Sequence, residues 1–150
     1  MIAATRNDLV NMSEKGFKWS GPLRGVVLLG GGRLLRELTV WGQKEGLTVK
    51  VITAPRHAAE VVGEETLECF LARHHTEFIV TDRINTTEVK EFLAETDQFL
   101  YLSLGAAWIF TTEIIEKFFR NMLLNLHGTR LPQNRGGGGP SWKILMGDRF

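Results

Sequence analysis

Residues 24–32 read Arg-Gly-Val-Val-Leu-Leu-Gly-Gly-Gly, and this stretch decides the fold class. The short apolar run predicts a strand that is buried on both faces, as in a parallel sheet. The glycines predict a tight turn after the strand. Leu34, Leu35 and Leu38 then recur at helical spacing, which predicts a helix that continues to about Glu45. A strand, a turn and an amphipathic helix in this order begin a β-α-β unit.

The same alternation continues along the chain. Further apolar runs of strand length lie at residues 48–53, 77–80, 98–104 and 121–126. Helical spacing of apolar residues predicts helices near residues 64–74, after Asn85 and after Thr111. Asn85 and Glu88 predict a capping box, and Thr111 predicts a helix N-cap. Strands that alternate with helices predict an α/β domain with a mostly parallel sheet and helices on both faces.

The composition is that of one soluble domain. The 150 residues are 43% hydrophobic and 23% charged, and the formal net charge of +1 gives no electrostatic footprint for nucleic acid or membrane. Residues 1–21 lack a sustained period, which predicts a flexible tail before a single domain at residues 22–150. The chain has one cysteine, no metal-ligand motif, no secretory signal and no apolar run of about 20 residues. We therefore expect a cytoplasmic protein with no metal site and no membrane span.

Two glycine-containing segments follow predicted strands, at the sheet edge where ligands bind in open α/β folds. Residues 30–33 read Gly-Gly-Gly-Arg, which lacks the spaced G-x-G-x-x-G pattern of dinucleotide sites. This segment fits a packing turn as well as it fits an anion site. Residues 103–109 combine small side chains with Trp108. Trp108 is expected either to form the wall of a pocket for a planar ring or to lie in the core.

A third segment, Asn125-Leu126-His127, ends the last predicted strand. Residues two apart in a strand point to the same side, so Asn125 and His127 are expected to lie about 6.6 Å apart along the chain on one face. An amide donor beside an imidazole can stabilise an oxyanion and transfer protons. The alternative is that two polar residues simply finish a strand. A long loop rich in Gly and Arg follows, and loops of this length are usually functional or disordered.

Five short motifs in this region resemble the signature of the folate-dependent formyltransferase family. They are Asn125-Leu126-His127, Leu131-Pro132, Arg135-Gly136, Pro140 and Trp142. The family includes methionyl-tRNA, glycinamide ribonucleotide and sugar nucleotide N-formyltransferases. The resemblance implies a Rossmann-like fold and transfer of a formyl group from 10-formyltetrahydrofolate to an amine.

The resemblance also implies roles for individual residues. Asn125 would bind the formyl oxygen as negative charge develops, and His127 would stabilise that oxyanion or help to move protons. The folate-binding segment would consist of Gly105, Ala106, Ala107, Trp108 and Ile109. The acceptor side of the site would be bordered by Arg130, Arg135 and Trp142.

The chain departs from the family pattern at one catalytic position. The family's third catalytic residue is an Asp that follows a further strand, and Asp148 is too close to Trp142 to match it. We therefore expect a domain that is incomplete at its C-terminus, and the activity of this chain alone is in question. An incomplete sheet should leave an apolar face or a sheet edge uncovered. Its expected cover is a missing C-terminal portion or a second copy of the chain.

The acceptor is predicted from a short match. Asn134-Arg135-Gly136 is more similar to sugar-directed members than to tRNA-directed ones, so we predict an amino group on a nucleotide-linked amino sugar. Methionyl-tRNA formyl transfer is the alternative within the family. A non-catalytic nucleotide-binding domain with a decayed site is the alternative outside it. A dinucleotide-dependent oxidoreductase is disfavoured, because Thr53 and Ala54 stand where an acidic residue is needed.

Overall fold

The computed structural model describes residue 19, residues 21–128 and residues 145 and 147. The strands of these residues are β1 Gly25–Gly30, β2 Thr48–Thr53, β3 Glu77–Val80, β4 Phe99–Leu104 and β5 Leu123–Leu126. The helices are α1 Gly32–Lys44, α2 Pro55–Ala58, α3 Leu67–Arg73, α4 Thr87–Phe92 and α5 Thr112–Phe119. None of the helices in this part of the chain is long and apolar enough to cross a membrane.

The strands form one sheet in the order β3-β2-β1-β4-β5. All four neighbouring pairs are parallel, which confirms the predicted α/β class. The chain starts at the centre of the sheet, moves outward to β3, and then returns past β1 to form β4 and β5. The direction of winding therefore changes between β1 and β4. Ligands of open α/β sheets bind at the carboxyl ends of the strands near such a change.

Two apolar clusters hold the helices against opposite faces of the sheet. On one face, Val26 and Leu28 of β1 pack in a cluster with Phe70 of α3. On the other face, Val27 of β1 packs in a cluster with Phe119 of α5. All six residues of β1 are buried. The apolar run that decided the fold class is therefore the central strand, covered on both faces as predicted.

Of the two helix N-caps predicted from the sequence, one is correct and one is wrong. The Thr111 hydroxyl accepts a hydrogen bond from the Ile114 backbone N at 3.3 Å, which confirms the predicted N-cap of α5. The predicted capping box at Asn85 is wrong. Thr86 caps α4 instead, and its hydroxyl accepts from the Val89 backbone N at 3.2 Å. A hydroxyl side chain caps a helix about as well as an amide, so the N-cap residue preference fits Asn85 and Thr86 equally, although only Asn85 has a Glu three residues later.

Strand boundaries agree with the sequence for β2 and β3 and differ for β5. The predicted strand began at Asn121, whereas β5 begins at Leu123. Arg120 and Asn121 have φ of 51° and 60°, which turns the chain between α5 and β5. A left-handed backbone cannot continue a strand, so β5 is only four residues long.

The β5 side of the sheet is covered less completely than the centre. Leu124 and Leu126 are 40% and 57% exposed. Among the residues that the structure describes, no strand pairs with the outer edge of β5. The two exposed leucines agree with the expected exposed apolar face, and the incomplete sheet and the partner that would cover it stay predictions. The predicted tail at residues 1–21 falls almost entirely outside the described residues.

Candidate functional site

A cleft of about 700 Å³ lies at the carboxyl ends of β4 and β5, and we call it the β4–β5 cleft. Its described lining comes from the two strands, the segment after β4, helix α5 and helix α2. The lining residues are Arg56, Ser103, Gly105, Ala106, Trp108, Phe110, Ile115, Leu123, Asn125, Leu126 and His127. The cleft therefore joins two of the three segments that the sequence indicated, because parallel strands place their carboxyl ends along one edge.

Asn125 and His127 both border this cleft, at the end of β5. Asn125 pairs in register with Ser103 of β4, which is buried. Asn125 itself is exposed and His127 is half-buried. Leu126 lies between them and also borders the cleft. An amide donor and an imidazole at the same open cleft are suited to binding an oxyanion and moving a proton.

The segment after β4 contributes three of its five predicted residues to the cleft. Gly105, Ala106 and Trp108 border it, whereas Ala107 and Ile109 are exposed and lie outside the described lining. Ile109 is 87% exposed. Gly105 has a φ of 64°, so the chain turns here, and successive side chains do not all face the cleft. This backbone conformation favours glycine, and no atom lies within 4 Å of where a Cβ would stand.

Trp108 lies between the core and the cleft, and its predicted role as a wall for a planar ring stays a prediction. Its ring packs against the apolar cluster around Val27 and Phe119, and it also borders the cleft. The indole Nε1 is buried and has no hydrogen-bond partner among the described residues. Buried donors are usually paired, so this N–H is an exception within the described residues.

The glycine turn after β1 is required for packing. Gly30 has a φ of 127°, and a Cβ there would lie 2.2 Å from the Leu104 carbonyl oxygen. A Cβ at Gly31 would lie 2.6 Å from the His57 Cβ. The Thr53 hydroxyl also donates to the Gly30 carbonyl oxygen at 2.7 Å. These contacts bring the ends of β1, β2 and β4 together, and the turn does not contribute to the described lining of the cleft.

Arg56 and His57 belong to the site region and were missed in the sequence. Arg56 borders the cleft, and His57 packs beside Gly31. Burial, followed by the charge of Arg56, lowers the pKa of His57 below its ordinary value of 6.5, and Glu60 acts in the opposite direction. His57 Nδ1 is buried without a hydrogen-bond partner in residues 21–128. The one available signal was Pro55, which starts α2 directly after β2 and so places Arg56 at the ligand edge.

The remaining predicted site residues lie in the loop beyond Gly128. Arg130, Arg135 and Trp142 are outside the described residues, so their predicted role on the acceptor side stays a prediction. Among the residues that are described, no group of three His, Cys, Asp or Glu side chains could hold a metal ion.

A comparison with solved structures finds phosphoribosylglycinamide formyltransferase from Anaplasma phagocytophilum, with a TM-score of 0.63 and 20% sequence identity. This chain shares the fold of that formyltransferase. The match covers 85% of this chain and 60% of that one, so the chain spans about 60% of the length of its structural relative. The predicted Rossmann-like α/β fold is confirmed. No protein-family model matches the sequence, and no curated protein has a matching sequence.

Proposed function

We propose that the chain is part of a cytoplasmic enzyme that transfers a formyl group from 10-formyltetrahydrofolate to an amine. One observation carries the proposal. Asn125 and His127 border one cleft at the carboxyl end of β5, in a fold shared with a known formyltransferase. Neither the fold nor the residue pair would be sufficient alone, since α/β folds of this kind support many activities.

The two side chains have complementary roles in this proposal. The Asn125 amide N–H donates to the formyl oxygen as negative charge develops on it, and one such donor is worth about 3 kcal/mol of barrier. The His127 imidazole takes the proton that the attacking amine loses and returns it to the N10 of tetrahydrofolate as the bond from N10 to the formyl carbon breaks. The 10-formyltetrahydrofolate supplies the formyl group. The family's third catalytic residue is an Asp for which this sequence offers no match, so the proposal assigns roles to Asn125 and His127 alone.

The described residues of the cleft are suited to a folate ring. Phe110, Ile115 and Leu123 form an apolar wall, and Gly105 leaves open space where a side chain would otherwise stand. The Trp108 ring borders the same cleft, and a planar aromatic side chain can pack against a flat ligand ring. Ligand sites of this kind combine an apolar lining with a few polar groups that fix orientation.

The proposed acceptor is the amino group of a nucleotide-linked amino sugar. Its support is the Asn134-Arg135-Gly136 motif and the near-neutral charge, which does not favour binding to tRNA. Phosphoribosylglycinamide is a second candidate acceptor, because it is the substrate that the structural relative is named for. Methionyl-tRNA is the third acceptor to test.

The proposal is tested by assaying formyl transfer from 10-formyltetrahydrofolate to these three acceptors, using the longest reading frame that contains the chain. Asn125→Ala is expected to lower kcat by about 10²–10³-fold, as loss of an oxyanion donor does. Asn85→Ala is the matched control, because Asn85 is exposed and lies outside the cleft. Unchanged transfer in both Asn125→Ala and His127→Ala would remove these residues from catalysis. Tight nucleotide binding without transfer to any acceptor would favour the non-catalytic alternative.

A further inference from the structure

Arg56 is the one residue with a permanent charge among the described residues that border the β4–β5 cleft. Arg56 lies in α2, directly after β2, and two strands, β1 and β4, separate β2 from the β5 strand that carries Asn125. No Asp or Glu belongs to the described lining. A guanidinium remains charged in proteins, so Arg56 makes this wall of the cleft positive.

The charge of Arg56 is not neutralised within the described part of the chain. The ion pairs found there involve Arg36, Lys50, Arg73, Lys117 and Arg120. Glu60 lies close enough to raise the pKa of His57 but forms no ion pair with Arg56. The first turn of α1, which begins beside His57, contains no acidic residue. The surroundings therefore leave Arg56 available to an anion that enters the cleft.

The backbone that carries Arg56 is held in place by its neighbours. Pro55 occupies the first turn of α2, and Ala58 at the end of the helix is buried. His57 packs directly against Gly31, where there is no room for a side chain. The Thr53 hydroxyl donates a hydrogen bond to the Gly30 carbonyl oxygen of β1. A long side chain on a fixed backbone can meet a ligand with little ordering of the main chain, which lowers the cost of binding.

The strand order sets the distance that a ligand must span. β2 and β5 are separated by β1 and β4, which is three strand spacings, or about 14 Å. Asn125 and His127 stand at one end of this span, and the Arg56 side chain extends into the cleft from the other. A ligand that reacts at Asn125 and also contacts Arg56 must carry its negative group away from its reacting atom.

We propose that Arg56 recognises an oxyanion of the bound ligand, a phosphate or a carboxylate, and so selects anionic ligands over neutral ones. Guanidinium forms paired, charge-assisted hydrogen bonds with both groups. The inference rests on the proposed function only for what reacts at Asn125. Anion binding at Arg56 can be measured without any formyl transfer.

The test titrates the full chain with inorganic pyrophosphate and, separately, with γ-glutamylglutamate, and follows binding by NMR shifts. Arg56→Gln is expected to weaken binding of one probe by about tenfold or more, since hydrogen bonds to charged groups are strong. Arg56→Lys should recover only part of the affinity, because an ammonium is a point charge without the paired donors. Arg24→Gln is the control, because this substitution makes the same change in net charge. Arg24 is exposed at the amino end of β1, whereas the cleft lies at the carboxyl ends of the strands.

Each outcome decides the matter. Loss confined to pyrophosphate identifies a phosphate contact, and loss confined to the glutamyl peptide identifies a carboxylate contact. Equal affinity in wild type and Arg56→Gln would overturn the inference, as would equal weakening by Arg24→Gln or no binding of either probe at about 50 mM, far above a typical ligand affinity. Probe binding that depends on Arg56, combined with no formyl transfer, would reject the proposed function and keep the inference.

Discussion

The two sides of the sheet are built differently. Around β1 and β2, helices cover both faces, and the cluster around Leu28 and Phe70 is fully buried. Around β4 and β5, α5 covers one face, while Leu124 and Leu126 are exposed on the other. The candidate site lies on the second side. The buried core therefore lies mainly around β1 and β2, whereas the candidate site lies around β4 and β5. We expect substitutions on the first side to lower stability and substitutions on the second side to weaken ligand binding.

The two edges of the sheet also differ. β3 and β5 are both four residues long. At the β3 edge, Lys50 donates to the Glu77 carboxylate at 3.0 Å, and charges of this kind protect an edge from pairing with another chain. At the β5 edge, Leu124 and Leu126 are exposed together with Asn125. Within residues 21–128, the β5 edge therefore exposes more apolar surface than the β3 edge does.

The largest effect on stability is expected for Phe70→Ala, which lies on the part of the sheet that helices cover on both faces. Phe70 is fully buried, so truncation should leave a cavity and cost about 3–5 kcal/mol in the free energy of unfolding. Phe118→Ala in α5 is the matched variant, and its smaller loss should reflect its partial burial. Urea unfolding of both variants measures the difference. Equal losses would mean that the two sides contribute alike to stability.

An intermediate effect on the free energy of unfolding is expected from two helix N-caps, one on each side of the sheet. Thr66 caps α3 and Thr111 caps α5, each by accepting a bond from a backbone N–H. Replacement of either threonine by alanine should cost about 1 kcal/mol of stability. Only Thr111→Ala is expected to weaken ligand binding as well, since Phe110 and Ile115 on either side of it border the cleft. Thermal melting and ligand titration of both variants separate the two effects.

The exposed leucines of β5 predict that the chain self-associates. They are not expected to contribute to the free energy of unfolding of the single chain. Leu124→Ser should change the free energy of unfolding by no more than about 0.5 kcal/mol, as expected for a surface position. It should also lower the mean mass measured by sedimentation at high protein concentration, because an apolar edge is lost. Val80→Ser on the β3 edge is the control and should leave the mass unchanged. A wild-type chain that stays monomeric would show that the β5 edge is already protected.

The smallest effect is expected from His57. Its pKa is lowered in the folded chain, chiefly by burial and then by Arg56, so the unfolded chain binds more protons as the pH falls below 6.5. Stability should therefore be complete above pH 6.5 and decrease as the pH falls through the folded pKa. Melting temperatures followed across this range should vary less for His57→Gln than for wild type. His75→Gln, at an exposed histidine, should retain the wild-type profile.

The sequence predicted the fold because its signals were local. The apolar run before Gly30 defined the central strand, and alternating strands and helices defined the parallel sheet. The errors were also local. Asn85 and Thr86 are both good N-cap residue types, and Asn121 adjoined an apolar run, but its positive φ delays the start of β5 to Leu123. Positive φ at a non-glycine residue has only a weak sequence signal, which is the enrichment of Asn, Asp and His at such positions.

The predicted residues that border the cleft lie at the carboxyl ends of two strands, β4 and β5. Asn125 lies in β5 and His127 follows it directly, so strand geometry and a short motif were enough to select them. Arg56 follows β2, and its approach to the cleft depends on β1 and β4 lying between the two strands. That order is a long-range property that spacing does not reveal. Ile109 shows the reverse case, since proximity in sequence to Trp108 did not bring it into the cleft.

The strand order has a consequence for how the chain folds. β1 pairs with β2 across a single helix, but its other neighbour, β4, is far along the sequence, as in the pairing of Gly25 with Phe99. Contacts between distant segments form slowly because a long loop must first be closed. During synthesis, β1, α1 and β2 can associate before β4 has been made. The nascent chain then exposes one side of its central strand, and this interval is when aggregation or chaperone binding is most expected.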